Sequence, residues 1–328
     1  MIDLFVISVS LAGSQLSVGA RDYDGAGNST NNAGAVYLFN NPFSTPALAG
    51  VIGKGYTGPA DFDVTALEAN DRFGFSVSLA GTQLAVGAIQ DDGAGNSTSN
   101  AGAVYLFNNP FSTPALAGVI GKGYTGAGNF DVSALEAGDE FGASVSLAGT
   151  QLAVGASLDD GAVNSASDAG AVYLFSNPFT APALAGVIGK GYTGTGNFDV
   201  SALAAGDQFG FSVSLSGTQL AVGATGDDGA GNSTVNAGAV YLFNNPFTAP
   251  ALAGVIGKGY TGTGNLDVAA LEVNDFFGFS VSLSGTQLAV GARNDDGAGD
   301  TTTQSGAVYL INNPFSTPAL AGVIGKGY

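Results

Sequence analysis

An acidic loop is written five times along the chain. It reads "DDGAGNSTSN" from Asp91, "DDGAVNSASD" from Asp159, "DDGAGNSTVN" from Asp227 and "DDGAGDTTTQ" from Asp295, with "DYDGAGNSTNN" from Asp22 as the first version. Calcium takes six to eight oxygen ligands, and Asp and Asn side chains with backbone carbonyls around a Gly turn supply them. The candidate calcium ligands are therefore Asp91, Asp92 and Asn96, Asp159 and Asp160, Asp227, Asp228 and Asn232, and Asp295, Asp296 and Asp300. The same residue types also build turns, through side chain to backbone hydrogen bonds and tolerance of left-handed backbone. The spacing does not reproduce the EF-hand pattern, so turn building competes with calcium as the reading of these loops.

A second acidic group precedes each later copy: Glu68 and Asp71, Glu136 and Asp139, Glu272 and Asp275, with only Asp207 kept in "ALAAGD". Paired carboxylates serve glycoside hydrolysis as acid and nucleophile. An active site is one asymmetric constellation, whereas these groups recur in equivalent settings, as scaffold turns do. The expectation is a chain that is not an enzyme. Lys54, Lys122, Lys190, Lys258 and Lys326 stand one per copy in "GKGY". The Walker pattern requires Ser or Thr directly after Lys, and Gly follows here, so no nucleotide site is expected. Each Lys is expected instead to answer an acidic group, in a ladder of ion pairs. Asn28, Asn96 and Asn232 head Asn-Ser-Thr sequons, which are candidate glycosylation sites if the chain is secreted and chance products of an Asn- and Ser-rich turn if it is not.

Composition removes other chemistry. There is no Cys and no His, so disulfides, thiolate nucleophiles, imidazole bases and the usual zinc or copper ligands are excluded. A net charge of -18 repels phosphate backbones and anionic lipid surfaces, so nucleic acid is not an expected partner. No apolar run approaches the roughly 18 residues needed to cross a bilayer as a helix. The N-terminal "MIDLFVISVSLAG" has the apolar look of a secretion signal but no basic leader, and it continues as a degenerate copy of the repeat.

The elements that must position these loops repeat with a fixed period. Phe73, Phe141, Phe209 and Phe277 are each 68 residues after the last, and the register places Phe5 at the head of a first copy. The copies are 5–72, 73–140, 141–208, 209–276 and an incomplete 277–328, within one repeat domain spanning 1–328. A period of tens of residues means a propeller, a solenoid or a linear array. Within a copy, "FSVSL" alternates apolar and small polar residues, "QLAVGA" follows a tight "AGT", and "GAVYLFNN" is a third β-rich run. "NFDVSAL" (129–135) is the expected fourth strand, and "NPFSTPALAGVIGKGYTG" an added loop, an extra edge strand or an apolar arm. The expected fold class is all-β, with four short antiparallel strands per copy forming a propeller blade; an open β-superhelix or linear array of blades is the alternative.

"FGFSVSL", "LAVGA" and "GAVYLF" resemble the FG-GAP repeat of integrin α-subunit head domains and of bacterial surface proteins, in all five copies and with lapses at the first. The resemblance implies propeller blades and an extracellular or cell-surface location. The calcium loop that the family carries between the first two strands is replaced here by Ala80-Gly81-Thr82, so the resemblance does not transfer calcium to that position.

The fifth copy has 52 residues against 68 for a full one, lacking the stretch expected to hold the fourth strand. An unpaired strand edge recruits strands. Three explanations compete: a slice of a longer array, imperfect closure by the N-terminal segment, or pairing supplied by a neighbouring molecule in a fibre. The expected function is a structural or adhesive repeat protein that self-associates as a filament subunit. The alternative is a calcium-dependent module binding a surface carbohydrate or protein.

Overall fold

The structure is a computed structural model and describes residues 8–299 and 302–328. Phe5 and the candidate ligand Asp300 lie outside the described residues. The chain divides into two compact units, residues 1–154 with 175–184 and residues 155–174 with 185–328, so strands of the third copy contribute to both.

The second copy, inside the first unit, shows how this sequence becomes a sheet. Its first strand, Phe73–Ala80, buries Val77 and Leu79 and leaves Ser78 half-buried, as the alternation requires. The chain reverses through Gly81 and Thr82, with Gly81 at φ 59°, a Gly-first two-residue hairpin loop. The second strand, Gln83–Ala88, returns antiparallel with Leu79 opposite Leu84 and Val77 opposite Val86. The third, Ala103–Asn108, sets Tyr105 opposite Val86 and Phe107 opposite Leu84.

The fourth strand differs from the expectation. It is Ala115–Gly121, antiparallel to the third, within the segment expected to be an added loop or arm. Pro114 stands just before it, where a missing N–H removes no ladder bond. The "NFDVSAL" segment supplies only a two-residue fifth strand, Phe130–Asp131, parallel to the fourth. The physical reason lies in its side chains. Asn129 Oδ1 accepts the backbone N–H of Val119 at 2.9 Å, and Leu135 N turns back to Val132 O at 3.1 Å. Its apolar residues Val132 and Leu135 enter the core from a turn, not from a ladder.

Among the described residues, the first four copies give five-stranded sheets and the fifth a four-stranded one, every sheet ordered along the chain. The fold is all-β, one propeller blade of four or five strands per 68-residue repeat. Among the described residues, no helix is long and apolar enough to cross a membrane.

The core lies between consecutive blades. In the first unit, Val36, Leu38 and Ile52 of the first copy join Phe73, Val77, Leu79, Val86, Tyr105 and Phe107 of the second in one buried cluster. In the second unit, Val240, Leu242 and Ile256 join Phe277, Leu283, Val290 and Tyr309 in the same way. Each such side chain contributes about 1.5–3 kcal/mol on burial. The motif glycines sit where one blade's backbone lies on the next. A Cβ on Gly87 would stand 2.1 Å from Gly142 O, and one on Gly74, at φ 89°, 2.6 Å from Ala35 O. No side chain fits at either place.

Candidate functional site

The acidic loop leaves the second strand at Asp91, which is 3% exposed. Its carboxylate is met from two directions. Tyr105, on the third strand, donates its hydroxyl to Asp91 Oδ2 at 2.7 Å. Tyr124, from "GKGY" after the fourth strand, donates to both oxygens at 3.0 and 2.9 Å, and the backbone N–H of Gly93 reaches Oδ1 at 2.9 Å. Burial pushes the Asp91 carboxyl above its ordinary range, opposed by these hydrogen bonds. Burial likewise raises both tyrosines, with the Asp91 charge adding to it. The cluster ties the exit of strand two, the middle of strand three and the turn after strand four to one point.

The second unit repeats it at Asp159 with Tyr173 and Tyr192, at Asp227 with Tyr241 and Tyr260, and at Asp295 with Tyr309 and Tyr328. In the first copy the register puts Tyr23 in place of the aspartate, and its ring stands edge-on to Tyr37 with centroids 5.8 Å apart. Tyr56 completes this three-tyrosine version; burial pushes its hydroxyl up to about 12.

The second aspartate of each loop bridges the loop itself. Asp92 Oδ1 accepts the backbone N–H of Asn100 at 2.7 Å, and Asp160, Asp228 and Asp296 accept those of Asp168, Asn236 and Gln304. Asn96 is exposed at φ 53°, and its amide donates to Glu68 Oε2 at 2.7 Å. Asn28 and Asn232 are exposed at the same place in their loops. Among the described residues, no group of three or more acidic side chains is disposed to hold a metal ion. The candidate calcium ligands within the described residues are thus separated into buried tyrosine partners, loop bridges and exposed loop tips.

In the acids that precede each motif, the aspartate is taken up by a backbone N–H of its own turn. Asp71, 6% exposed, accepts the backbone N–H of Glu68 at 2.7 Å, and Asp139, Asp207 and Asp275 accept those of Glu136, Ala204 and Glu272. Burial, with the Asp91, Glu68 and Asp92 charges adding to it, pushes Asp71 from 3.8 to about 7. Asp207 rises to about 7 and Asp275 to about 6, again chiefly by burial.

The expected lysine ladder of ion pairs is absent among the described residues. Lys54, Lys122, Lys190 and Lys258 donate Nζ to the backbone carbonyls of Thr65, Ser133, Ser201 and Ala269 instead. These carbonyls belong to the turn that replaces the expected strand, where no ladder partner satisfies them. The ion pairs found join arginines to one acid, Arg21 to Asp22 at 3.3 Å and Arg72 to Asp22 at 3.8 Å.

The aspartate–tyrosine clusters were missed in the sequence, although a signal was present. Tyrosines follow the loop's first aspartate by 14 and 33 positions in four copies. Residues that keep such offsets while the loop between them varies have a common partner.

Four stretches, residues 67–107, 133–175, 201–243 and 271–311, match the FG-GAP repeat family, and together they make up about half of the chain. No curated protein matches. Among solved structures, a putative TolB from Agrobacterium tumefaciens is similar over 99% of this chain and 83% of its own, at 9% sequence identity and a TM-score of 0.47. Each family match ends in the strand that carries the cluster tyrosine and begins in the turn before the Phe-Gly element, and on these four matches the chain belongs to the FG-GAP repeat family.

Proposed function

We propose that the chain is a non-enzymatic structural or adhesive scaffold, extracellular or on a cell surface, whose molecules self-associate as subunits of a filament. The observation that carries this reading is the equivalence of the carboxylates. Asp91, Asp159, Asp227 and Asp295 each hold two tyrosine hydroxyls and a backbone N–H, and Tyr23 keeps the cluster together in the first copy with no carboxylate. Catalysis needs one asymmetric site; a scaffold needs one joint many times. The net charge of -18 keeps such a surface solvated. In an exported chain the exposed Asn28, Asn96 and Asn232 would carry glycans.

The competing reading has the loops coordinate calcium and capture a carbohydrate or protein through exposed tips such as Asn96 and Ser97. Calorimetric titration with calcium, against a chelator control, separates the two. Absence of saturable heat supports the scaffold. Saturable binding with a raised unfolding midpoint replaces it by the binding module. Negative-stain images of the native particle test assembly directly, and single isolated particles at every concentration would sink the filament.

A further inference from the structure

Each acidic loop contains one Asp-Gly bond, beginning at Asp24, Asp92, Asp160, Asp228 and Asp296. Such a bond can rearrange without an enzyme. Glycine has no Cβ to shield its backbone nitrogen, so that nitrogen can attack the aspartate Cγ and close a cyclic imide. The N–H must be free for this, because a nitrogen whose proton is held by an acceptor neither sheds it readily nor turns toward the neighbouring carboxyl.

The five loops are alike in the other features that bear on this step. Gly25, Gly93, Gly161, Gly229 and Gly297 are all buried and all left-handed, with φ from 71° to 77°. Each aspartate keeps one carboxylate oxygen on a backbone N–H across the loop: Asn32 N lies 2.8 Å from Asp24 Oδ1 and Asn100 N 2.7 Å from Asp92 Oδ1. Its carbonyl takes another, Thr30 N to Asp24 O at 2.8 Å and Thr98 N to Asp92 O at 2.9 Å. The difference lies in the nucleophile. Gly93 N–H donates to Asp91 Oδ1 at 2.9 Å, and the N–H groups of Gly161, Gly229 and Gly297 donate to Asp159, Asp227 and Asp295 at 2.8 Å. In the first loop Tyr23 takes the place of that aspartate and packs its ring against Tyr37, and among the described residues the Gly25 N–H meets no acceptor. A buried backbone N–H without a partner is a high-energy group.

We infer that Asp24–Gly25 is a site of spontaneous isoaspartate formation, and that the buried carboxylates of the other four loops hold their Asp-Gly bonds against the same reaction. The step is balanced by water alone. The Gly25 nitrogen loses its proton and bonds to Cγ of the Asp24 carboxyl in its acid form, whose hydroxyl leaves as hydroxide; proton and hydroxide make one water. Water then opens the imide at either carbonyl. Opening at the former side-chain carbonyl restores aspartate. Opening at the former main-chain carbonyl leaves the chain running through Cγ, with an extra methylene in the backbone and the α-carboxylate free. The two groups that receive the Thr30 and Asn32 N–H thereby exchange roles, so both bonds that fix the loop must re-form on a longer backbone. The product is an isoaspartyl residue, the substrate class of enzymes that methylate the free α-carboxylate.

Incubation of the 328-residue chain at physiological temperature, in mildly acidic water enriched in heavy oxygen, tests this. Each passage through the imide writes heavy oxygen into the aspartate. A Lys or Arg lies between consecutive loops, so trypsin in ordinary water puts each Asp-Gly bond in its own peptide. Fragment masses are expected to show label on Asp24 at least about tenfold faster than on Asp92, Asp160, Asp228 or Asp296, the factor that one hydrogen bond to a carboxylate holds. Methyl transfer by an isoaspartyl methyltransferase is expected to mark the same peptide. In the urea-unfolded chain the five bonds are expected to react at similar rates, and this comparison needs no variant. Tyr23→Asp, which supplies the missing acceptor, is expected to bring Asp24 down to the rate of the other loops. Tyr23→Phe keeps the ring, supplies no acceptor and is expected to leave Asp24 fast; melts followed by circular dichroism establish that both variants are folded. Five equal rates in the folded chain, the same preference for Asp24 in urea, or a folded Tyr23→Asp that reacts as fast as the wild type overturns the inference.

Discussion

Tyr105 and Tyr124 converge on Asp91, the first at 2.7 Å from Oδ2 and the second at 2.9 Å from the same oxygen, with their own hydroxyls 3.4 Å apart. The third strand and the turn after the fourth, 19 residues apart at these tyrosines, are thereby held at one buried carboxylate. Removing a single donor, Tyr105→Phe, is expected to cost about 1–2 kcal/mol of unfolding free energy. Asp91→Ala leaves two hydroxyls and a backbone N–H without their acceptor and is expected to cost about 2–4 kcal/mol. Urea unfolding measures both, and a loss below about 0.5 kcal/mol for Asp91→Ala would show that the cluster holds nothing.

The first copy offers the complementary experiment. Tyr23 stands where later copies have the aspartate and packs edge-on against Tyr37. Tyr23→Ala is expected to lose roughly 1–2 kcal/mol, the packing of a half-buried ring. Tyr23→Asp, which restores the residue of the other copies, is expected to lose less than Tyr23→Ala in the same unfolding assay. The reverse order would mean that the first copy's cluster is not equivalent to the rest.

Stability is expected to fall as pH rises. Asp71 and Asp207 titrate near 7 and Asp275 near 6 in the folded chain, against 3.8 for the ordinary side chain. Between those values the folded state holds protons that the unfolded state has lost, so the stability difference is fully present below about 4 and is gone by about 7. At roughly 1 kcal/mol per site after relaxation, the melting midpoint at pH 8 should lie on the order of 5 °C below that at pH 5. Asp71→Asn keeps an acceptor for Glu68 N and removes one titration, so its melting midpoint should depend less on pH than that of the wild type. Identical profiles for the two proteins would contradict the assignment.

One repeat position supplies its own control for backbone contact. A Cβ on Gly118 would stand 1.8 Å from Gly128 O, whereas one on Gly322, the same position in the fifth copy, meets nothing within 4 Å. Gly118→Ala is expected to cost more than about 3 kcal/mol, and Gly322→Ala to be neutral or slightly stabilising through the unfolded chain. Equal effects in thermal melts would exclude close approach as the reason for the glycine.

The hairpin and the third strand were legible because strict alternation, a Gly-containing two-residue turn and an exact period act within a few residues. The fourth strand was not. "ALAGVIG" and "NFDVSAL" both carry apolar residues at β spacing, and the choice falls to Asn129, whose side chain takes the N–H of Val119 and bends its segment into a turn. For the loops, the sequence showed that Asp91 mattered but not which way it faced. Asp, Asn and Gly serve metals and turns alike, and only the positions of Tyr105 and Tyr124 in space decide what the carboxylate is holding. The lysines misled for a similar reason: opposite charge suggests pairing, but the uncapped carbonyl of Ser133 lies closer to hand.

The sameness of the joints bears on how such a chain changes over generations. Neighbouring copies meet through the same Phe-Gly and Gly-Ala backbone contacts, as at Gly34 with Phe73 and Gly238 with Phe277, so excising or duplicating any whole stretch of 68 residues brings together two surfaces that already match. Unequal recombination between the gene segments that encode such copies can therefore lengthen or shorten the protein in a single event, without a round of compensating substitutions.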